Sequence, residues 1–564
     1  MRVVVVGEDR ALVAFLLEEL EASATVERCR GATCDDDFTA LVAAGWERFV
    51  VLPREIHGFP DVEAVRRACA QLGGAVHVLL VSSAAVNEPN AHHPGRVSEE
   101  RLPAQRLANP LASSWRSVEA AAREALGGRE EALTVLRPTA VLLRNARGFW
   151  SRLFQSTVAF VPPGFDPTLQ LLSGVDLAAA LRRLVEHGTT GVGGKALNLA
   201  PSSGIPLKKA LKVAGTWRIP VPILLQRPLR ALLAKAGAAP AAQLDYLRYS
   251  WTVDDTAICR TLQLSPGLTS SQAVEALRAE PEIVDDSAVT LPAQKHDPFG
   301  ADREYVDRLG RTLFRFLHDA YWRVEHKGLA NVPREGRVIL VGAHRGFQPW
   351  DGVMAMHLLN TRLGRLPRFL VHPSLVKLPF LAPYMIKCGG VHACYENAAW
   401  VLEREGALAI FPEGIRGAFR KYGKDVYKIG KLGRDEYVRM ALRHQAPLVP
   451  FVTVGSAEIY PIYGKLKWGW WKRFTEWPCF PVTPTMGIVP LPSKWHTHFL
   501  EPMHVERRYP PEAADEASVV RAISAEVKAR MTAALEDMLA RRRSIFFGSI
   551  FDPDDPGPVQ EETA

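Results

Sequence analysis

Two apolar runs that each end abruptly in ionisable residues constrain this chain more than any other feature. Val338-Ile-Leu-Val-Gly342 leads into His344-Arg-Gly-Phe-Gln-Pro-Trp-Asp351, and Gly352 to Leu359 then has helical spacing. A buried strand, a turn holding Gly346 and Pro349, and a helix make an α/β unit. It sets one imidazole and one carboxylate at the mouth of a sheet, where α/β proteins keep their chemistry. Further along, Ala407-Leu-Ala-Ile-Phe411 runs straight into Pro412-Glu-Gly-Ile-Arg-Gly417. A His–Asp pair can take the proton of a hydroxyl. A Glu-Gly-x-Arg loop can hold an anionic or polyol acceptor. Taken singly, a buried structural His and an ordinary Pro-Gly turn are the plainer readings. Both fit less well when each site ends a strand.

Residues from roughly 310 to 548 resemble the glycerolipid acyltransferase family, of the lysophosphatidate and mono- or diacylglycerol acyltransferase type. That family's common first block is His-x4-Asp. The His-x6-Asp found here is similar to the branch reading His-Ser-Gly-x-x-Pro-x-Asp: Gly346, Pro349 and Asp351 match it, and Arg345 replaces its Ser. Gly389-Gly390-Val391 with Glu396-Asn397 resembles the second block, Phe411 to Gly417 the third, and Val449-Pro-Phe-Val-Thr-Val-Gly455 the fourth. Ile415 stands where the third block commonly has Thr.

The resemblance implies transfer of an acyl group from a thioester, acyl-CoA or acyl carrier protein, to a lipid hydroxyl. His344 would be the base, the one motif residue that titrates near neutrality. Asp351 would fix its tautomer and stabilise the imidazolium, as a triad carboxylate does. The acceptor attacks directly, so no Ser or Cys nucleophile is required. Backbone amides near Gly346, or at the N-terminus of the following helix, would stabilise the oxyanion, and Glu413, Gly414 and Arg416 would bind the acceptor, Arg416 as a phosphate clamp. No metal and no further cofactor is implied.

The first half reads differently. Arg2-Val-Val-Val-Val-Gly7 is a parallel-sheet strand by its β-branched density, and Ala11 to Leu20 is helical. Strands follow at Arg48–Leu52, Val76–Val81 and Leu133–Pro138, with Leu171 to Ala180 beyond. This order, with the Ser82-Ser83 strand end and Leu136-Arg-Pro138, resembles the extended short-chain dehydrogenase and epimerase family over residues 1–285 and implies a Rossmann-like domain. Its machinery does not carry over. The glycine turn that lets a backbone approach a pyrophosphate would fall on Gly7, Arg10 and Val13, of which only the first is glycine. The catalytic Tyr-x-x-x-Lys falls on Ser114 and Val118. Gly7 and Ser83 are the surviving cofactor-binding candidates; at most weak NAD(P) binding is expected, without hydride chemistry.

Composition limits the rest. The 564 residues exceed one core, and a linker is expected at 286–303, an acyltransferase domain at 304–548 and an acidic disordered tail at 549–564. Seven scattered Cys without C-x-x-C spacing argue for a reducing compartment. No apolar run long enough to span a bilayer occurs. Residues 301–564 hold 37 Lys and Arg against 29 Asp and Glu, while the other 300 residues hold 32 of each, so the net +8 belongs to the second half. Those basic residues mix with Trp and Leu, above all in Lys465-Leu-Lys-Trp-Gly-Trp-Trp-Lys-Arg-Phe474. That suits a membrane surface with anionic lipids rather than nucleic acid. Tyr305 to Val324 carries an apolar helical stripe (Leu309, Leu313, Phe316, Leu317, Tyr321), expected to pack on the domain. The apolar, Pro-broken stretch from Arg368 to Tyr384 reads equally as an acyl-chain wall or a buried loop.

The sequence therefore points to a cytoplasmic O-acyltransferase, peripheral on the inner face of a membrane. Two alternatives stand beside it: an NAD-dependent epimerase or dehydrogenase with an accessory lipid-binding domain, and a non-enzymatic lipid-binding scaffold.

Overall fold

The structure, a computed structural model, describes every residue except 24, 57, 73–74, 102–107, 147, 222–240, 265–266, 279–296, 347, 424, 434 and 552–564. It divides into two compact units, Met1–Gly300 and Ala301–Ala564. Most of the expected linker lies outside the described residues. So does the tail beyond 551; its first residues, Ser549 to Phe551, are packed, with Ile550 buried.

The first unit is built on six parallel strands: β1 (Arg2–Val6), β2 (Arg28–Ala32), β3 (Arg48–Val51), β4 (His77–Val81), β5 (Leu133–Pro138) and β6 (Ala196–Leu199). Their order across the sheet is β6-β5-β4-β3-β1-β2. Both faces of the inner strands are covered, so those strands are largely apolar, while the edge strand β2 is mostly exposed. Val3 and Val5 pack towards α1 (Arg10–Glu21) and the helix Gly174–His187. Val4 and Val6 pack towards the helices Val62–Gln71 and Pro110–Ala125. This is a doubly wound, Rossmann-like sheet, and β1 and β3 flank the point where strand order reverses.

The second unit has a seven-stranded sheet. Its strands are β7 (Glu325–Lys327), β8 (Val338–Gly342), β9 (Arg368–Val371), β10 (Gly390–His392), β11 (Ala407–Ile410), β12 (Leu448–Val454) and β13 (His496–Phe499), in the order β7-β13-β12-β8-β11-β9-β10. Central β8 pairs in parallel with β11 and β12, while β13 runs antiparallel to β12. Ile339 and Val341 of β8 face one core, which the long helix Ala517–Arg541 closes through Val520, Ile523, Val527, Met531 and Leu535. Val338 and Leu340 face the other, against the helix that follows the His344 turn.

One expected helix differs in kind. After an α-helical Arg303–Leu309 the chain takes π geometry over Gly310–Phe314 and Phe316–Tyr321. The buried positions are Val306, Gly310, Phe314, Leu317 and His318, stepping by four where the turn is wider. Leu313 and Phe316, placed on the apolar stripe by α-helical counting, are exposed instead.

Candidate active site

Val341 of β8 pairs with Ile410 of β11, so the residues following the two strands emerge side by side at the same edge of the sheet. Two residues past β8, His344 turns its ring so that Nδ1 lies 2.8 and 2.9 Å from the carboxylate oxygens of Asp351. The His-x6-Asp spacing closes because the chain reverses at Gly346, whose φ of 91° lies where L side chains are strained. Asp351 sits in the first turn of α2 (Trp350–Leu363), where the helix dipole favours a carboxylate. The backbone amides of Arg345 (2.9 Å) and Gly352 (2.8 Å) also donate to it. Asp351 is 2 % exposed. Held this way it accepts a hydrogen bond from Nδ1–H and leaves Nε2 with its lone pair, the tautomer a general base needs. Phe411 lies against the imidazole, ring centroids 5.4 Å apart.

The ring opens into a cavity of about 110 Å³ whose wall is mostly apolar. Phe369, Val371 and Leu375 line it from the stretch read as an acyl-chain wall or a buried loop, with His372 and Ser374 as polar members of the same stretch, and Met385, Phe419 and Trp477 line it further. Gly414 and Ile415 form its rim beside His344.

The other predicted acceptor residues sit differently. Glu413 points inward, and its two oxygens are fully engaged. The Arg345 guanidinium pairs with one, while Arg420 Nη2 (3.0 Å) and the Gly430 amide (2.7 Å) donate to the other. Glu413 is thus a buried brace between the loops rather than a group facing the cavity. Arg416 is exposed, does not line the cavity, and has no partner among the described residues.

Arg345 is the residue sequence reading missed. Its side chain, 1 % exposed, donates to the His344 carbonyl (2.7 Å) and to the carbonyls of Tyr427 and Lys428 (3.3 Å each), besides Glu413. The only signal in the sequence is a cation beside the His where its branch has Ser, with an acid at the end of the neighbouring strand. Arg420 belongs to this brace too.

In the first unit, Ser83 lines a cavity of about 320 Å³ at the end of β4, together with Glu8, Asp9, Arg54 and Tyr246, whereas Gly7 does not line it. At the N-terminus of α1 the carboxylate of Asp9 accepts the amides of Ala11 (3.1 Å) and Leu12 (3.3 Å). Those amides are the ones a bound pyrophosphate uses in a dinucleotide fold. Ser114 Oγ donates to its own helix, to the Pro110 carbonyl, and Val118 is fully buried. Neither lines the cavity.

The acyltransferase family model matches residues 323–454, which contain both strand ends. An uncharacterized protein of Mycobacterium tuberculosis is 35% identical over 260 residues, 45% of this chain and 72% of that one. Phytyl ester synthase 2, a chloroplastic protein of Arabidopsis thaliana, is 33% identical over 146 residues, 24% of this chain and 20% of its own length. Among solved structures, UDP-glucuronic acid 4-epimerase from Bacillus cereus overlays on 49% of this chain and 98% of its own, at 12% identity and a TM-score of 0.39. A human epimerase family protein with NADPH overlays on 49% of this chain and 99% of its own, at 17% identity and a TM-score of 0.39. One unit is a doubly wound sheet, and the other is an α/β sheet whose strand ends carry a His–Asp dyad within the segment that the acyltransferase family matches. The chain belongs to the acyltransferase family.

Proposed function

We propose that the protein moves a fatty acyl group from a thioester, acyl-CoA or acyl carrier protein, to a glycerolipid-type hydroxyl: a lysophospholipid, monoacylglycerol or diacylglycerol. His344 Nε2 takes the hydroxyl proton as the oxygen attacks the thioester carbonyl. Asp351 stabilises the resulting imidazolium. Collapse of the tetrahedral intermediate then expels the thiolate, which recovers the proton. The observation that carries this reading is the free edge of a carboxylate-anchored imidazole opening into an apolar cavity.

The apolar wall, with Glu413 committed to the brace and Arg416 off the cavity, favours a neutral acceptor over a phosphorylated one. Similarity to phytyl ester synthases supports the same preference. No cofactor beyond the acyl donor enters the chemistry. In the first unit, the acid at the helix N-terminus and the loss of Tyr and Lys argue against NAD(P)-dependent hydride transfer. Among the described residues no helix is long and apolar enough to cross a membrane, and we place the protein at the cytoplasmic, inner face of an anionic membrane.

Purified protein given radiolabelled acyl-CoA, or acyl carrier protein loaded with the same chain, is to be tested on a panel of lysophospholipid, monoacylglycerol and diacylglycerol. The reading expects a labelled neutral lipid that His344→Ala does not form. Labelled product formed equally by the variant, or none from either donor, overturns it.

A further inference from the structure

The cavity beside His344 is far smaller than the several hundred cubic ångströms that enclose even a drug-sized ligand. A fatty acyl chain or a glycerolipid acceptor can place only its reacting end there. The rest must lie on a surface continuous with the cavity mouth, and one surface of the second unit has the chemistry to receive it.

Between residues 463 and 489 the chain exposes Tyr463, Trp468, Trp470, Met486, Ile488 and Val489. Trp470 is 64%, Met486 67% and Ile488 79% exposed. They come from three adjoining pieces: the hairpin Gly464–Leu466 with Phe480–Val482, the short helix Gly469–Thr475, and the loop beyond it. Trp468 and Trp470 stack on each other in the open, centroids 5.9 Å apart, and Trp468 also stacks on Phe480 at the hairpin. Apolar surface of this density is costly in water and marks a contact site. The Lys465–Phe474 segment is legible as membrane-directed in sequence; the Met486–Val489 loop is not.

Charge selects the occupant. Residues 463–491 contain Lys465, Lys467, Lys472 and Arg473 against the single acid Glu476, and Glu476 is paired with Lys377. Trp and Tyr interleaved with Lys match the headgroup layer of a bilayer, where amphipathic rings sit among anionic lipids. A protein partner of ordinary composition would leave these cations unmatched.

The same surface is tied to the active site at three points. Gln348, inside the His344–Asp351 turn, donates to the Gly487 carbonyl at 2.7 Å. Trp471 packs edge-on against Trp477, and Trp477 against Phe419, both of which line the cavity. Lys377, between the cavity-lining residues Leu375 and Met385, holds Glu476 at the end of the Trp-rich helix. In that cavity-lining segment Phe380 is 71% exposed, with a φ of 66° that turns the chain outward.

Resting on the acyl-transfer reading, we infer that this surface docks on an anionic lipid bilayer and that the lipid substrate passes from the bilayer into the His344 cavity past Gln348 and Trp477. The loop Met486–Val489 is the apolar wedge and the Trp-rich helix the interfacial anchor.

Vesicle flotation of the full chain tests it, using phosphatidylcholine vesicles with and without phosphatidylglycerol. Trp470→Ala, Ile488→Asp and Lys467→Glu are compared with wild type. The expected result is binding to the anionic vesicles that falls about tenfold for each apolar substitution and weakens with salt for wild type. Turnover of a short-chain thioester with a short soluble alcohol should be unchanged in all three variants, while turnover of acceptor presented in vesicles should fall. Wild type that ignores anionic vesicles, or variants that bind as it does, overturn the inference. So does light scattering that shows a dimer lost on Ile488→Asp, since the occupant would then be a second copy. Vesicle binding lost in the variants with no acyl transfer by any preparation upholds the docking surface and sinks the acyl-transfer reading instead.

Discussion

Arg345 and Glu413, 68 residues apart, form an ion pair whose side chains are 1% and 2% exposed, and it joins the two loops that make the active site. The same guanidinium grips the carbonyl of His344. A pair this deeply buried is costly to break, because the survivor is left charged without its partner. Arg345→Leu is expected to lower unfolding free energy by about 3–5 kcal/mol in urea titrations. The double variant Arg345→Leu/Glu413→Leu should recover much of that loss. Recovery absent from the double variant would mean that Arg345 acts through its carbonyl contacts alone.

Asp351→Asn tests the anchoring of the imidazole. The Gly352 and Arg345 amides donate to different oxygens of Asp351, so the Asn keeps one of these bonds and sets its NH2 against the other donor; the fold should survive with a modest fall in melting temperature. Its NH2 group cannot serve the Nδ1 proton in the same way, and the tautomer preference is lost. Acyl transfer should fall about 10²–10⁴-fold. A loss of only a few-fold would show that Asp351 positions the helix and does nothing for the base.

Gly342 lies at the end of β8, where a Cβ would meet Phe411 and Phe451 ring carbons at 2.5 and 2.6 Å. Phe411 in turn lies against His344. Gly342→Ala should therefore cost about 1–3 kcal/mol by overpacking and lower the rate of acyl transfer. Wild-type rates in a destabilised variant would show that the Phe411 contact is not needed to hold the ring.

What could be read from the chain followed physical contrast. The strands β1, β8 and β11 are apolar runs buried on both faces, and they stand in the sequence almost residue for residue. β2 is an edge strand reading Arg-Cys-Arg-Gly-Ala, with three of its five residues exposed, and gives no periodic signal. β13 is a buried His-Thr-His-Phe, polar in composition, and passes unseen for the same reason. The His344–Asp351 hydrogen bond was implied by the motif. The Arg345–Glu413–Arg420 brace was not, because pairing between buried charges is set by tertiary geometry rather than by spacing. The π turns after Leu309 move Leu313 and Phe316 out of the buried stripe while Leu317 stays in it, which no count at an α-helical period can follow.

His357, on α2 beside His318 (ring centroids 5.5 Å), is 6% exposed, and burial, with the neighbouring imidazole, pushes its pKa down to about 4. The folded state keeps it neutral while the unfolded chain protonates it near pH 6.5. Its contribution is thus fully present above about pH 6.5 and is lost as pH falls towards 4, with a slope of up to about 1.4 kcal/mol per pH unit. Denaturation midpoints across that range should fall less steeply for His357→Gln than for wild type. Parallel curves would mean that the proton is taken up elsewhere.

The central claim is that His344 is the base for acyl transfer, and the initial rate of thiol release from acyl-CoA in the presence of acceptor tests it most directly. Wild type and His344→Gln are to be measured side by side, with matched melting curves to show that both are folded. The account predicts a loss of about 10²–10⁴-fold for the variant. A folded His344→Gln protein that turns over within a few-fold of wild type would contradict it.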